Sequence, residues 1–279
     1  GETAGLGMQM SKMLTAVSRA ELDMVFNFDA LENPGKTRFD DYRYDLRYLK
    51  KYLLDWQQNY GDNCWMSLFF ENHDNPRMVS KVNPDPAVRA PLAKLLATLQ
   101  LTLKGPPFIY QGQEIGMTNW RPESTSMYED VQTRNQHPDW PEEKRLALYH
   151  RASRDSARTP MQWDDSHAAG FTTGTPWIYP PENYRQINAA AQMNDETSVR
   201  AFYKKLVQLR KEMEVISEGK IEFLMKEDES VLAYRRYTDS QEMLVMCNLT
   251  SEEVPVTLPQ GWENTDVLIA NWDNTTALT

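Results

Sequence analysis

The chain has 279 residues, of which 41% are hydrophobic and 25% are charged, and its formal net charge is −10. This length allows about two domains with a sizeable core. The negative charge argues against nucleic acid or an anionic membrane as a partner, and the sequence holds no run of about 18 apolar residues that would predict a membrane span.

Two cysteines, Cys64 and Cys247, lie far apart and lack the spacing of metal ligands. They predict no disulfide framework and no metal site, which favours a reducing compartment such as the cytoplasm. The first residue is Gly1 rather than Met. We therefore expect Gly1 to continue an upstream segment, on which the sequence carries no targeting information.

The first part of the chain alternates helix and strand signals. Residues 8–22 contain neither Gly nor Pro and predict a helix, and residues 24–29 form a short apolar run that predicts a strand. Turn residues between 31 and 41 indicate a loop. Apolar residues then recur every 3.6 positions over 42–60, which predicts an amphipathic helix that Gly61 would end.

A second apolar run, residues 65–70, leads directly into Asn72-His73-Asp74, and Pro76 prevents a central strand from continuing. A helix over 92–103 and a short strand over 107–110 follow. This order predicts parallel βαβ units whose polar groups gather at the strand ends. The alternative interpretation of the polar stretch is an ordinary turn, because Asn, Asp and Pro favour turns.

The remaining chain contains a long insertion and, after a further helix, a stretch of predicted β strands. Residues 118–194 form a long insertion with one short helix at 142–153, and their aromatic content argues against disorder. After a helix at 196–214, short alternating segments predict an antiparallel β domain. The five predicted strands are 220–225, 231–237, 243–249, 254–258 and 266–270. We expect residues 1–216 to form one domain and residues 217–279 another, which lacks its last strand.

The stretch Asn72-His73-Asp74 is open to two chemical interpretations. A metal-binding His-Asp pair needs further histidines, yet the other three, His137, His150 and His167, all lie within the insertion. Carboxylate chemistry is therefore favoured, in which Asp74 stabilises developing positive charge beside a histidine donor.

Six motifs together resemble the α-amylase superfamily of retaining glycoside hydrolases. They are Gly1-Glu2-Thr3, Met24–Asp29, Phe70–Arg77, Gly105–Met117, Ala157–Asp164 and Ala169–Ile178. Within that superfamily the chain is similar to oligo-1,6-glucosidases, dextran glucosidases, trehalose-6-phosphate hydrolases and sucrose isomerases. The resemblance implies an α/β fold, namely the C-terminal half of a (β/α)8 TIM barrel followed by an antiparallel β-sandwich domain.

The resemblance also implies catalytic roles. Glu2 matches the general acid/base, which needs a raised pKa to donate and then remove a proton. Asp74 matches the third carboxylate, which stabilises the transition state, and His73 matches a histidine that binds glucose. The alternative for Glu2 is a frayed terminal carboxylate.

Three further residues are implied to bind substrate. Arg158 matches an arginine that blocks the non-reducing end of the site, which would make the enzyme exo-acting on short substrates. Arg77 and Phe28 are candidates for lining the pocket. The alternatives are a loop salt bridge for Arg158 and for the nearby Arg154, a surface ion pair for Arg77, and simple burial for Phe28.

The chain departs from the family pattern in two ways. The family's nucleophile lies on the fourth strand, upstream of Gly1, so we expect this chain to be inactive by itself. Gln132 stands where relatives commonly carry a glutamate beside the departing sugar, which leaves the linkage preference open. In addition, residues 30–41 lack the Arg-Leu-Asp-Arg-Asp run of sucrose isomerases, which argues against isomerisation.

The resemblance therefore predicts part of a retaining, exo-acting α-glucosidase that cleaves short α-1,6-linked glucosides. Trehalose-6-phosphate hydrolase and sucrose isomerase or sucrase are alternatives within the family. A non-catalytic relative, such as a transporter-associated or sugar-binding subunit, is the alternative of another class. We expect a small oligosaccharide or disaccharide as ligand, no cofactor, and a monomeric parent protein.

Overall fold

Helices dominate the first 219 residues of the computed structural model, which describes residues 1–263 and 265–272. The α-helices are Gly7–Thr15 (α1), Leu46–Asn59 (α2), Met78–Val82 (α3), Arg89–Thr102 (α4), Val131–Arg134 (α5), Glu142–Ala152 (α6), Asp155–Arg158 (α7), Val199–Glu212 (α8) and Glu214–Ser217 (α9). The strands are Lys220–Leu224 (β1), Val231–Tyr237 (β2) and Glu242–Asn248 (β3). Within residues 1–263 and 265–272, none of the helices has the length and hydrophobicity that a membrane span requires.

The amphipathic helices predicted from sequence are confirmed. Helix α2 begins after Asp45, whose carboxylate accepts a hydrogen bond from the Arg47 amide at 2.8 Å, an N-cap arrangement. Soon after it ends, Gly61 adopts a φ of 87°, a left-handed conformation that costs glycine little. The helix predicted for 8–22 is shorter than expected, because α1 ends at Thr15 where Ala16 turns to a ψ of 127°.

The strands predicted at 24–29, 65–70 and 107–110 are wrong as extended strands. Among the described residues they form only single parallel bridges, Glu2 with Phe26 and Leu68 with Pro107. The physical reason in the first two segments is that the chain soon leaves the extended conformation, since Phe28 begins a 3-10 helix and Phe70 lies in a bend. Parallel pairing is thus retained, but over one residue in each pair.

Gly105 permits the second bridge to form. Its φ is 137°, and a Cβ atom there would lie 2.1 Å from the carbonyl oxygen of Met66. Any other residue would push the two segments apart. The amide of Phe108 can therefore donate to the Leu68 carbonyl at 2.8 Å. This bond sets the direction in which the chain enters the polar stretch Asn72-His73-Asp74.

The C-terminal unit is a small antiparallel sheet in the order β1-β2-β3. Strands predicted at 254–258 and 266–270 are wrong, because the described residues there are not in strands. Val256 and Val267 are exposed, so these segments lack the second buried face that a sandwich strand needs. Residues 273–279, the end of the predicted second domain, lie outside the described residues.

A buried lysine fastens this sheet to helix α2. The Lys50 ammonium donates hydrogen bonds of 2.8 Å to the carbonyls of Met225 and Val231, and a further one to the Asp228 carbonyl. Lys50 itself is buried. Three carbonyl acceptors match the three ammonium donors, so the charge is solvated by main chain in place of water.

A buried arginine fastens the same sheet to helix α4. Arg236 of β2 donates to the carbonyls of Thr102 at 2.5 Å, Gly219 at 2.7 Å and Lys220 at 3.3 Å. Its side chain is fully buried. Burial lowers the pKa of this guanidinium to about 10, with a smaller opposing influence from Tyr234.

Candidate active site

The polar tip after residue 70 is shaped by an Asx turn. The side-chain oxygen of Asn72 accepts hydrogen bonds from the Asp74 amide at 2.9 Å and from the Asn75 side chain at 3.1 Å. This geometry folds the chain back after the buried Phe70. As a result, Asp74 projects from the tip with 27% of its side chain exposed.

Two arginines and a histidine surround the Asp74 carboxylate. Oδ1 accepts from Arg154 at 2.8 Å and from Arg158 at 3.1 Å, while Oδ2 lies 3.3 Å from Nε2 of His73. Burial by itself would raise the pKa of Asp74. The Arg154 hydrogen bond and the positive charges of its neighbours outweigh this effect and lower the pKa below its usual value. An ionised carboxylate at this position suits the stabilisation of positive charge.

Arg154 also forms an ion pair with a second carboxylate, which is buried. Its Nε donates at 2.8 Å to Asp130, whose side chain is only 1% exposed. Asp130 also accepts from the amide and hydroxyl of Thr133, which makes it the N-cap of α5. Asp155 in turn accepts from the Asp130 amide at 2.9 Å. The insertion thus delivers a fixed arginine to the tip.

Arg38 reaches the same tip from the loop before α2. Its Nη1 donates at 2.7 Å to the Asp74 carbonyl, and its Nη2 donates at 2.5 Å to Oε1 of Gln132. The site is therefore built from three separate parts of the chain.

Of the residues predicted to bind substrate, His73 and Arg158 lie at the tip. The His73 side chain is 64% exposed, and its carbonyl accepts from Nε of Arg158 at 2.9 Å. Arg158 belongs to α7, one turn after Arg154, so both arginines point to one carboxylate. The structure brings these three side chains together with Asp74.

Arg77 lies beneath the tip, fully buried. It pairs with the buried Glu71 at 3.0 Å and donates to the Gln111 carbonyl at 2.8 Å. Its guanidinium thus supports the turn from inside, and a direct contact with sugar stays a prediction.

Phe28 and Glu2 lie apart from this cluster. The ring of Phe28 is half-buried, 5.7 Å from the ring of Phe69, in a tilted arrangement. Glu2 is exposed and bridges Phe26 through its main chain, and its side chain forms no hydrogen bond or ion pair with the described residues. Their predicted roles, sugar stacking and acid/base catalysis, stay predictions.

Sequence patterns missed Arg38 and Asp130, and suggested for Arg154 only a loop salt bridge. Asp130 carries a detectable signal, since an aspartate before a short helix is a common N-cap. Arg38 carries none, because it sits in an irregular loop. Within residues 1–263 and 265–272, no group of three His, Cys, Asp or Glu side chains is arranged to hold a metal ion.

Comparison with known proteins gives this arrangement a context. Residues 1–219 match the family described as "Alpha amylase, catalytic domain", and residues 221–271 match "Maltogenic Amylase, C-terminal domain". The oligo-1,6-glucosidase of Halalkalibacterium halodurans is 38% identical over 98% of this chain and 50% of its own length.

Solved structures of similar proteins agree with the chain's fold. The trehalose-6-phosphate hydrolase of Bacillus licheniformis has a TM-score of 0.90 at 37% identity, over 98% of this chain and 52% of that one. A variant of isomaltulose synthase from Erwinia rhapontici NX5, solved with D-glucose, has a TM-score of 0.84 at 35% identity, over 92% of this chain and 48% of that one. The chain spans about half the length of the relatives it matches.

Proposed function

The chain belongs to the α-amylase catalytic-domain family, and on that premise we propose that it is the C-terminal portion of a retaining, exo-acting α-glucosidase. Its substrates are short α-glucosides, with α-1,6-linked oligosaccharides as the leading class. The observation that carries the proposal is the Asp74 carboxylate, ionised and partly open to solvent within a shell of His73, Arg154 and Arg158.

In the proposed reaction Asp74 is the carboxylate that holds the sugar and stabilises its oxocarbenium-like transition state. Glu2 donates a proton to the departing oxygen and later removes one from water. The nucleophile comes from the part of the parent protein before Gly1. His73 and Arg158 bind the glucosyl unit, and Arg158 closes the site at the non-reducing end. No cofactor is needed for this chemistry.

The half-barrel architecture belongs to the same proposal. Residues 1–216 supply the second half of a (β/α)8 barrel, and the residues from 217 onward supply a C-terminal domain built around the antiparallel sheet β1-β2-β3. The two parallel bridges support this arrangement. So does the exposure of Leu6, Met10, Met13 and Val17 on and beside α1, since other parts of a barrel would cover an apolar stripe of this kind.

Two unpaired, buried cysteines are consistent with a cytoplasmic parent. We propose that the parent acts as a monomer on small, uncharged or singly phosphorylated sugars, without nucleic acid or membrane.

The full-length parent tests the proposal in an assay on isomaltose, sucrose and trehalose 6-phosphate. We expect hydrolysis of isomaltose with the α-anomer of glucose released first, as a retaining mechanism requires. Turnover of trehalose 6-phosphate alone would reassign the substrate within the family. No turnover of any α-glucoside, together with sugar binding in calorimetry, would overturn the proposal in favour of a non-catalytic subunit.

A further inference from the structure

Asn119 is a buried asparagine that lies between the Asp74 turn and the two arginines of the tip. Only 5% of the residue is exposed. Its side-chain oxygen, Oδ1, accepts a hydrogen bond from the Arg77 amide at 2.8 Å, where the turn ends and α3 begins. Because it is buried, this side chain can influence the reaction only through its neighbours.

The other end of the Asn119 side chain holds the end of helix α6. Its nitrogen, Nδ2, donates to the carbonyls of His150 at 3.0 Å and Arg151 at 3.2 Å. The last carbonyls of a helix have no partner within the helix, so a donor from outside satisfies them. Helix α6 ends at Ala152, shortly before Arg154. One side chain thus connects the end of the Asp74 turn to the segment that delivers the arginines.

Main-chain bonds beside the Asn119 side chain reinforce this connection. The amide of Asn119 donates to the Ser80 hydroxyl of α3 at 2.9 Å. The next amide, that of Trp120, donates at 3.2 Å to the hydroxyl of Ser156 in α7, the short helix that ends with Arg158. Residues 119 and 120 are therefore bonded to α3 on one side and to α7 on the other.

This bonding pattern suits an amide side chain. The Arg77 amide can only donate, so the side-chain oxygen of Asn119 must face it. The α6 carbonyls can only accept, so the side-chain nitrogen must face them. A single planar amide therefore sets the distance between two parts of the chain that meet at Asp74.

We propose that Asn119 is a positioning residue, which holds the two arginines of the tip at bonding distance from the Asp74 carboxylate. Arg154 and Arg158 bond Oδ1 of Asp74 at 2.8 and 3.1 Å. A misplacement of about 1 Å can cost about a hundredfold in rate, even when its cause lies away from the reacting atoms. This inference rests on the proposed glucosidase function. It implies that Asn119 affects the reaction only while Asp74 carries its charge.

The test measures kcat of the full-length parent on p-nitrophenyl α-glucoside, a chromogenic substrate on which slow variants remain measurable. Asn119→Leu keeps the approximate size of the side chain but loses its donors and its acceptor. We expect kcat to fall by about thirtyfold. In the Asp74→Asn background the same substitution should lower kcat by less than about threefold, because the charge that the arginines hold is already absent.

Asn188→Leu is the matched control. Asn188 is also buried, and it accepts from the Ala191 amide at 2.7 Å while donating to the Tyr184 carbonyl at 2.8 Å. Asn188 thus has the same bonding pattern as Asn119, but outside the tip. We expect a similar fall in the urea midpoint in both leucine variants, while kcat in Asn188→Leu should change by less than about twofold.

Ser156→Ala is a milder variant, which removes only the bond from the Trp120 amide. It keeps the inference testable even if Asn119→Leu does not fold. We expect kcat to fall by about threefold in Ser156→Ala, and an unchanged kcat would overturn the inference.

Two further results would overturn the inference while leaving the glucosidase proposal intact. They are equal falls in kcat in Asn119→Leu and Asn188→Leu, and an undiminished effect of Asn119→Leu in the Asp74→Asn background. A wild-type parent without activity on any α-glucoside would instead overturn the proposed function, and this inference with it.

Discussion

Long cationic side chains serve opposite purposes at the Asp74 tip and at the junction with the C-terminal sheet. At the tip, Arg154 and Arg158 bond the Asp74 carboxylate and remain partly exposed. At the junction with the C-terminal sheet, Lys50 and Arg236 are buried and bond main-chain carbonyls. Burial lowers the pKa of both junction cations, whereas the arginines at the tip help to lower the pKa of Asp74.

Substitutions of these two sets of cations should therefore affect different properties of the protein. Cations at the tip set the charge state and position of a carboxylate, so their loss should alter activity. Cations at the junction satisfy carbonyls that would otherwise be buried without partners, so their loss should alter stability. Three substitutions and one pH titration test this division.

The first prediction concerns Asp74→Asn in the full-length parent. Asparagine keeps the shape but cannot carry the negative charge, so we expect kcat on isomaltose to fall by about a thousandfold. The urea midpoint should fall only slightly near neutral pH, because the site is partly exposed and the ionised Asp74 supplies a small part of the total stability. A fall in kcat of less than about tenfold would show that Asp74 is not a catalytic residue.

The second prediction concerns Arg236→Met, which leaves buried carbonyls unsatisfied. We expect the free energy of unfolding to fall by about 3 kcal/mol, measured by urea denaturation. The adjacent Arg235 is the matched control. It is partly exposed and pairs with Glu222 at 2.6 Å, so Arg235→Met should cost less than about 1 kcal/mol. Similar losses in the two variants would contradict a special role for the junction cation.

The third prediction concerns Asp130→Asn, because Asp130 anchors Arg154, which bonds the Asp74 carboxylate. Asparagine preserves the N-cap of α5, so the fold should persist while the arginine loses its charged anchor. We expect kcat/KM to fall by about tenfold. The control is Asp195→Asn, since Asp195 accepts from Thr197 in a similar turn outside the tip. A fall in stability without any change in kcat/KM would make Asp130 a structural residue alone.

The fourth prediction concerns pH. The pKa of Asp74 is lowered in the folded state, so its ionisation stabilises the fold fully above the unfolded pKa of about 4. That contribution is lost as the pH falls from about 4 through the lower folded pKa. The stability difference between wild type and Asp74→Asn should therefore be constant near neutrality and shrink below about pH 4. A stability difference that shrinks between pH 5 and 7 would contradict the lowered pKa of Asp74.

The sequence predicted the parts of the fold that depend on neighbours along the chain. Helices α2 and α8 follow from apolar spacing, and β2 was predicted with the observed bounds. The predicted lengths of the parallel strands were too great. Their pairing depends on partners far along the chain, and a short apolar run does not reveal how far that pairing extends.

The candidate site shows the same limit. Asp74 and His73 follow from the break after an apolar run, and Arg158 from a recognisable motif. Arg38 and Asp130 lie in loops 36 and 56 residues away from Asp74 along the sequence. No local pattern signals that these loops meet, because the meeting depends on how the insertion packs.

The three carbonyl bonds of Lys50 also constrain the order of events during synthesis. Its nearest partner along the chain lies 175 residues later, and closing a loop of that size costs about 4–5 kcal/mol in chain entropy. A ribosome adding about 5–20 residues per second needs roughly 10–35 s to make the connecting chain. Until then helix α2 carries an ammonium group on a face that is later buried. Its final packing must therefore wait for the C-terminal hairpin to leave the ribosome.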